Sequence, residues 1–152
     1  MIEIRQYDTL TEDFKELDAM LDEDYYERFG QIALEYRRFN TLEGMVGFVV
    51  AYDGRRPVGC GCIRPFTPET AELKRIFVCK DYRRKGLAGK IVASCEEMAR
   101  QNGFQRMHLQ TGAVMNEAIA LYQKQGYEMI ENYGEFAGDE NSVCMAKELA
   151  KL

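Results

Sequence analysis

The sequence has 152 residues but no tryptophan, only three prolines and a single histidine. One histidine leaves few ligands for a zinc site, and the C-x-C spacing of Cys60 and Cys62 lacks the usual two-residue gap, so we expect no metal. No fixed-period repeat, low-complexity segment or proline-rich linker divides the chain. We therefore predict one domain over residues 1–152.

Long apolar runs are also missing. No stretch reaches the roughly 18 apolar residues of a membrane span. The first ten residues, MIEIRQYDTL, show neither a basic leader nor the apolar segment of a signal peptide. The five cysteines are odd in number and lie mostly in apolar stretches, which favours reduced core thiols over disulfides. These features predict a cytoplasmic protein without a membrane partner.

Charge is distributed unevenly along the chain. The net charge is -5, and residues 1–40 hold eleven acids and five bases, whereas residues 74–90 hold seven bases and one acid. An acidic protein with one short basic segment is poorly suited to follow a nucleic-acid backbone. The segment could hold a compact polyanion such as a nucleotide phosphate, or it could be a solvated basic loop.

Hydrophobic periodicity predicts the element order β α α β β β α β α β β. Thr9 and Glu12 fit a capping box that opens the first helix, with Leu10 as the first member of its apolar face. Asp53 and Gly54 form a strong hairpin signal between two strand-like runs. The order favours an α+β fold with a mixed, mostly antiparallel central sheet of six to seven strands and about four helices.

The most informative segment is RRKGLAGK, residues 83–90, between a predicted strand and a predicted helix. Small residues let the backbone approach a ligand, and the free amides of a helix start attract anions. The segment is not a P-loop, which requires G-x-x-x-x-G-K-S/T, nor a G-x-G-x-x-G dinucleotide fingerprint. A helix start with small residues for tight packing is the alternative interpretation.

Two segments together resemble the GNAT superfamily of N-acetyltransferases. Arg83-x-x-Gly86-x-Ala88 is similar to its Q/R-x-x-G-x-G/A signature, and residues 116–127 (NEAIALYQKQGY) are similar to its second acetyl-CoA segment, N-x-x-A-x-x-L-Y-x-x-x-G-F/Y. The predicted strand order resembles the GNAT fold along essentially the whole chain. The resemblance implies an acetyltransferase that uses acetyl-CoA as co-substrate and an amine, on a small molecule or peptide, as acceptor.

The resemblance also implies roles for individual residues. Main-chain groups of Phe77 and Val78 would pair with the pantetheine arm, Val78 N–H would polarise the thioester carbonyl, and Asn116 would hydrogen-bond the pantetheine. Tyr122 would protonate the leaving thiolate. The pyrophosphate of coenzyme A would be held by the amides of Arg83, Arg84, Lys85, Gly86, Leu87 and Ala88.

Other assignments stay open. Glu72 is a candidate general base or an ordinary strand-end charge, and His108 is a weaker candidate. The acids of the first two helices either attract a cationic acceptor or form a solvated face. A homodimer is common among such families. The alternative function is a module that binds coenzyme A or an acyl-CoA without turnover.

Overall fold

The computed structural model describes residues 1–150. They form one seven-stranded sheet in the order β1-β2-β3-β4-β5-β7-β6. Only β4 and β5 run parallel, and the other neighbours are antiparallel. This confirms the mixed, mostly antiparallel sheet of an α+β fold. The strands are β1 (Ile2–Tyr7), β2 (Gly47–Asp53), β3 (Arg56–Pro65), β4 (Thr70–Val78), β5 (Arg106–Gly112), β6 (Glu128–Ile130) and β7 (Ser142–Glu148).

Four α-helices lie between the strands of the described chain, and the order of helices and strands is the one that periodicity predicted. They are α1 (Glu12–Phe29), α2 (Gln31–Tyr36), α3 (Leu87–Gln101) and α4 (Asn116–Lys124). Within residues 1–150, no helix combines the length and the apolar character that a membrane crossing requires.

The start of α1 differs from the sequence prediction. Thr11, not Thr9, caps the helix, because its side-chain oxygen accepts the Phe14 amide at 3.2 Å. Leu10 precedes the helix and is 38% exposed, so it is not part of the buried face. That face consists of Phe14, Leu17 and Leu21.

The two faces of the sheet are covered by different elements. One face packs under α3 and α4 and is apolar, with Val49, Ile63, Leu73, Leu109 and Met145 fully or nearly buried. The other face packs under α1, the segment after α2 and the loop of residues 131–141, and it also carries charged side chains. We call these the apolar face and the polar face. All five cysteines are buried and free, as predicted for core thiols.

Strand β4 contains a bulge that changes which side chains reach the polar face. Its pairing with β3 moves from Cys62 opposite Lys74 to Cys60 opposite Phe77, so β4 has one extra residue. Arg75 takes up this residue with a φ of 60°. Because a bulge interrupts the alternation of side chains, the consecutive cations Lys74 and Arg75 both point to the polar face, where they contact α1 and the segment after α2.

Candidate functional site

Strands β4 and β5 separate after a short contact and leave a gap within the sheet. They pair only from Thr70 to Glu72 and from Arg106 to His108, although β4 continues to Val78. The edge of β4 beyond Glu72 therefore has no strand partner among the described residues. The gap opens into a cavity of about 960 Å³, a volume in the range of small-molecule sites.

The alternation of peptide groups decides which parts of β4 face this gap. The Cys79 amide donates to the carbonyl of Val58 in β3 at 2.9 Å. The peptide groups of Phe77, two residues earlier, therefore also point to β3, whereas those of Ile76 and Val78 point to the gap. The main-chain groups of Phe77, for which the resemblance implied a ligand contact, therefore do not face the gap, whereas those of Ile76, which the sequence interpretation did not name, do.

The loop between β4 and α3 presents a run of free amides. The amides of residues 84–89 donate to no acceptor within residues 1–150, whereas Arg83 N donates to Lys80 O and Lys90 N donates to Gly86 O, both at 3.3 Å. Free amides at the start of a helix, with the positive end of its dipole, form a site for anions. Five residues of this run line the cavity: Arg84, Gly86, Leu87, Ala88 and Gly89.

The conformation of this loop depends on particular residues. Gly86 has a φ of 78°, which a side chain tolerates poorly, and Arg84 adopts a φ of 64° despite its side chain. At Gly89 an added Cβ would lie 2.7 Å from Nε2 of Gln125, the end of a flexible side chain, so a larger residue there would have to displace Gln125. Lys85 does not line the cavity; its ammonium lies 5.8 Å from the centre of the Tyr82 ring.

Arg83 connects the loop to its surroundings through its side chain. Nε donates to the carbonyl of Val78 at 2.7 Å, and Nη2 lies 3.7 Å from Oδ2 of Asp24 in α1. The guanidinium also lies over the Phe77 ring at 5.6 Å. Arg83 therefore fixes the end of β4 relative to α1, while Val78 N–H is left facing the gap.

Tyr122 lies in α4 on the wall of the cavity and is 8% exposed. Its ring packs edge-on against Tyr127, with the centroids 5.8 Å apart. The hydroxyl has no hydrogen-bond partner among residues 1–150 and keeps some exposed surface. Burial raises the pKa of Tyr122, which keeps the phenol protonated at neutral pH.

Asn116 is the first residue of α4 and is exposed. Its neighbours Met115 and Glu117 line the cavity, but Asn116 does not. The structure thus places Asn116 next to the cavity wall and not on it.

Glu72 lies on the cavity wall and is 2% exposed. Oε1 accepts a hydrogen bond from Arg64 Nε at 2.7 Å, and Oε2 accepts one from the Tyr133 hydroxyl at 2.6 Å. Burial pushes the pKa of Glu72 upward, but the charge of Lys74 and the hydrogen bonds from Tyr133 and Arg64 outweigh burial and hold that pKa below its usual value. Glu72 is therefore ionised at neutral pH, with both oxygens engaged.

His108 sits beside Glu72 on the polar face and is 4% exposed. Its ring stacks on Tyr133 with the centroids 3.7 Å apart, and its Nε2 is enclosed without a partner among the described residues. Burial lowers the pKa of His108 to about 4, against the opposing charge of Glu72. His108 is therefore neutral at physiological pH, and it does not line the cavity.

Several acids of α1 are already paired with cations. Arg75 Nε donates to Oδ1 of Asp18 at 2.7 Å, and Arg75 Nη2 donates to Oδ1 of Asp22 at 2.5 Å. Asp24 lies 4.0 Å from Arg28 and 3.7 Å from Arg83. These carboxylates hold α1 against the sheet, which leaves them less available to attract a cationic acceptor.

No group of three or more histidine, cysteine, aspartate and glutamate side chains within residues 1–150 is arranged to hold a metal ion.

Comparisons with known proteins agree with this geometry. Over 106 residues the chain is 29% identical to the N-acetyltransferase YsnE of Bacillus subtilis, which covers 68% of this chain and 70% of that protein. The fold matches an acyl-CoA N-acyltransferase from Klebsiella pneumoniae with a TM-score of 0.79 and 26% identity, over 99% of both chains. It also matches a GNAT acetyltransferase from Elizabethkingia anophelis, solved with acetyl-CoA bound, with a TM-score of 0.71 and 18% identity, over 97% and 98% of the two chains.

The profile of the acetyltransferase (GNAT) family matches residues 10–127. This range includes the bulged strand β4, the loop of free amides and helix α4 with Tyr122. It ends at Tyr127, the last residue of the second motif segment. The chain therefore belongs to the GNAT family of acetyltransferases and is an acyltransferase.

Proposed function

We propose that this acyltransferase moves the acetyl group of acetyl-CoA to a primary amine of a small-molecule or peptide acceptor by direct attack. The observation that carries the proposal is the run of free amides at residues 84–89, which borders the same cavity as the Tyr122 hydroxyl. A phosphate-binding loop joined by a gap to a protonated phenol suits a long cofactor with phosphates at one end and a thioester at the other.

The proposed cofactor contacts follow the cavity from the loop to α4. The amides of residues 84–88 hold the pyrophosphate, with the side chains of Arg83, Arg84 and Lys85 adding positive charge. The Arg83 amide, which the resemblance included, already donates to Lys80 O. Main-chain groups of Ile76 and Val78 pair with the pantetheine arm, and Val78 N–H polarises the thioester carbonyl. The Asn116 side chain contacts the arm from its position next to the cavity wall. The bound acetyl-CoA in the Elizabethkingia anophelis relative supports this choice of co-substrate.

The proposed reaction needs no covalent enzyme intermediate. The neutral amine nitrogen forms a bond to the acetyl carbon, the carbon–sulfur bond breaks, and the electron pair leaves on sulfur. Tyr122 gives its proton to the thiolate, while the nitrogen loses a proton to a base. We assign the base to Glu72, acting through water, because it is an ionised carboxylate of β4 on the cavity wall.

A Tyr122→Phe variant tests the proposal. We expect kcat to fall about 10²-fold to 10⁴-fold, because a positioned general acid contributes this much, while the KM for acetyl-CoA changes little. The release of coenzyme A thiol in the presence of a panel of amines measures both quantities. The matched control is Tyr26→Phe, since Tyr26 is 53% exposed and does not line the cavity. Equal rates for the two variants would remove Tyr122 from the mechanism.

A second candidate function is a module that binds coenzyme A or an acyl-CoA without turnover. The engagement of both Glu72 oxygens favours it, because a carboxylate with a lowered pKa and two partners is a weak base. This candidate predicts saturable binding of acetyl-CoA by calorimetry and no thiol release with any amine.

A homodimer also remains a prediction, which analytical ultracentrifugation can test.

A further inference from the structure

Lys74 occupies an unusual position on the wall of the cavity. The bulge in β4 places it on the polar face next to Arg75, and its side chain is only 8% exposed. Nζ donates to the carbonyl of Phe39, and the nearest carboxylate oxygen, Oε1 of Glu72, is 4.0 Å away. Lys74 is thus a buried ammonium without a close carboxylate among residues 1–150.

Other buried charges of this protein are compensated at shorter distances. Arg75 has carboxylate oxygens of Asp18 and Asp22 at 2.7 and 2.5 Å. Glu96, on the apolar side, has Lys147 Nζ at 2.9 Å. Lys74 is the exception in this set.

The carboxylate nearest to Lys74 already serves another cation. Oε1 of Glu72 accepts from Arg64 Nε at 2.7 Å, so Arg64 and Lys74 share one carboxylate. The cluster of these three side chains carries one net positive charge. A buried ammonium is unfavourable unless it is paired and hydrogen-bonded, so a group with negative charge is the complement that this cluster lacks.

Elsewhere on the described cavity wall, no carboxylate is a better binding site for a cationic acceptor. Asp24 already pairs with Arg28 and Arg83, and Glu117 is exposed on the first turn of α4. The other polar side chains of the cavity wall include the uncharged Asn40, Gln110 and Asn141. Burial also lowers the pKa of Lys74, a shift that Glu72 opposes and that a further anion beside the ammonium would reverse.

We propose that the acceptor of this enzyme is an amino acid or a related amine that carries a carboxylate, and that Lys74 binds this carboxylate. The inference rests on the proposed amine acetylation and adds the chemical class of the acceptor. Lys74 is in this view a specificity-determining residue. The charge-assisted contact would orient the acceptor and place its amine toward the gap.

Turnover of matched acceptor pairs tests the inference. Each pair consists of an amino acid and the amine that lacks only its carboxylate, such as methionine with 3-(methylthio)propylamine. We expect kcat/KM to be at least about ten-fold higher for the amino acid. In Lys74→Met this preference is lost through a higher KM for the amino acid, while the KM for acetyl-CoA is unchanged. Lys74→Arg keeps the charge and retains part of the preference.

Controls separate specificity from folding. Lys15→Met removes an ammonium from a side chain that is 52% exposed on α1 and should leave the preference intact. Thermal unfolding of each variant shows whether the fold persists. Equal kcat/KM values for both members of every pair in the wild-type protein would overturn the inference and leave the transferase function standing, as would equal losses for both members in Lys74→Met.

A binding experiment distinguishes this inference from the proposed function. Calorimetry with N-acetyl amino acids, and with the acetamides of the matched amines, measures the carboxylate subsite without turnover. Binding that favours the carboxylate and is lost in Lys74→Met supports the subsite even if no thiol is released. Binding that is indifferent to the carboxylate overturns it, whatever the activity of the enzyme.

Discussion

The two faces of the sheet differ in what they bury. The apolar face holds a continuous hydrophobic cluster under α3 and α4, which includes Ile63, Ile91 and Met145. The polar face buries Glu72, Lys74, Arg75 and His108 under α1, the segment after α2 and the loop of residues 131–141. Burying charge is unfavourable unless each group finds partners, whereas burying hydrocarbon is favourable. The apolar face therefore supplies stability, and the polar face retains the groups to which we assign chemistry and recognition.

The positions of strained backbone agree with this division. Within residues 1–150, two residues other than glycine have a positive φ, Arg75 and Arg84, and both line the cavity. Such conformations are unfavourable by about 1–3 kcal/mol each and persist only where the surroundings hold them. The apolar face holds the sheet together while the strain is concentrated at the site.

The largest effect on stability is expected on the apolar face. Ile63 is fully buried there, so Ile63→Ala should lower the free energy of unfolding by about 2–5 kcal/mol, and Ile63→Val by about 0.5–1.5 kcal/mol. Urea denaturation measures both. The KM for acetyl-CoA should stay close to the wild-type value in each variant. A large rise in this KM without a loss of stability would break the division between the two faces.

The pH dependence of stability is expected to come from the polar face. The pKa of His108 is about 4 in the folded protein, below the ordinary value of 6.5, because the ring is buried. As the pH falls, His108 therefore binds a proton in the unfolded chain before it does so in the folded protein. The contribution of His108 to the free energy of unfolding is complete above pH 6.5, and about 3 kcal/mol of it is lost as the pH drops to 4.

Denaturation in urea between pH 7 and pH 4 checks this expectation. The His108→Gln variant should show a flatter profile in that window, since it has no imidazole to protonate. Protonation of Glu72, whose pKa is also lowered, reduces the free energy of unfolding at lower pH than protonation of His108 does. This loss should also occur in the variant. An unchanged slope in His108→Gln would contradict the assignment.

The smallest effect on stability is expected at the loop between β4 and α3. A Cβ at Gly86 meets nothing within 4 Å, so Gly86→Ala introduces only the strain of a φ of 78°, about 1–2 kcal/mol. We expect the affinity for acetyl-CoA to fall about ten-fold, as measured by calorimetry. In Gly89→Ala the added Cβ instead meets the flexible end of Gln125, which can move aside, so the loss should be smaller.

The sequence predicted the order of helices and strands because periodicity and turn residues are local signals. Leu87, Ile91 and Cys95 recur at helical spacing and are all buried in α3. Asp53 pairs with Arg56 across the predicted hairpin turn. The capping residue of α1 was harder to predict, because Thr9 and Thr11 are both suitable. Only the hydrogen bond from the Phe14 amide to Thr11 distinguishes them.

The site was harder to predict where it depends on the bulge at Arg75. The resemblance implied a main-chain contact at Phe77, but the peptide groups of Phe77 point to β3, and those of Ile76 face the gap. No glycine marks the positive φ at Arg75, so the sequence gives no signal of the extra residue. The partners of Glu72 also escaped prediction, because Arg64 and Tyr133 lie 8 and 61 residues away along the chain.

The separation of β4 from β5 has a consequence for how this protein responds to its co-substrate. The peptide groups along the gap form a sheet edge inside the molecule, and a slender ligand with amide groups can join it as an extra strand would. A ligand that binds only the folded state raises the free energy of unfolding by about 2.7 kcal/mol at a concentration one hundred times its Kd. The melting temperature should therefore increase with the concentration of the acetyl donor, so that a thermal unfolding curve reports the fraction of protein that has the donor bound.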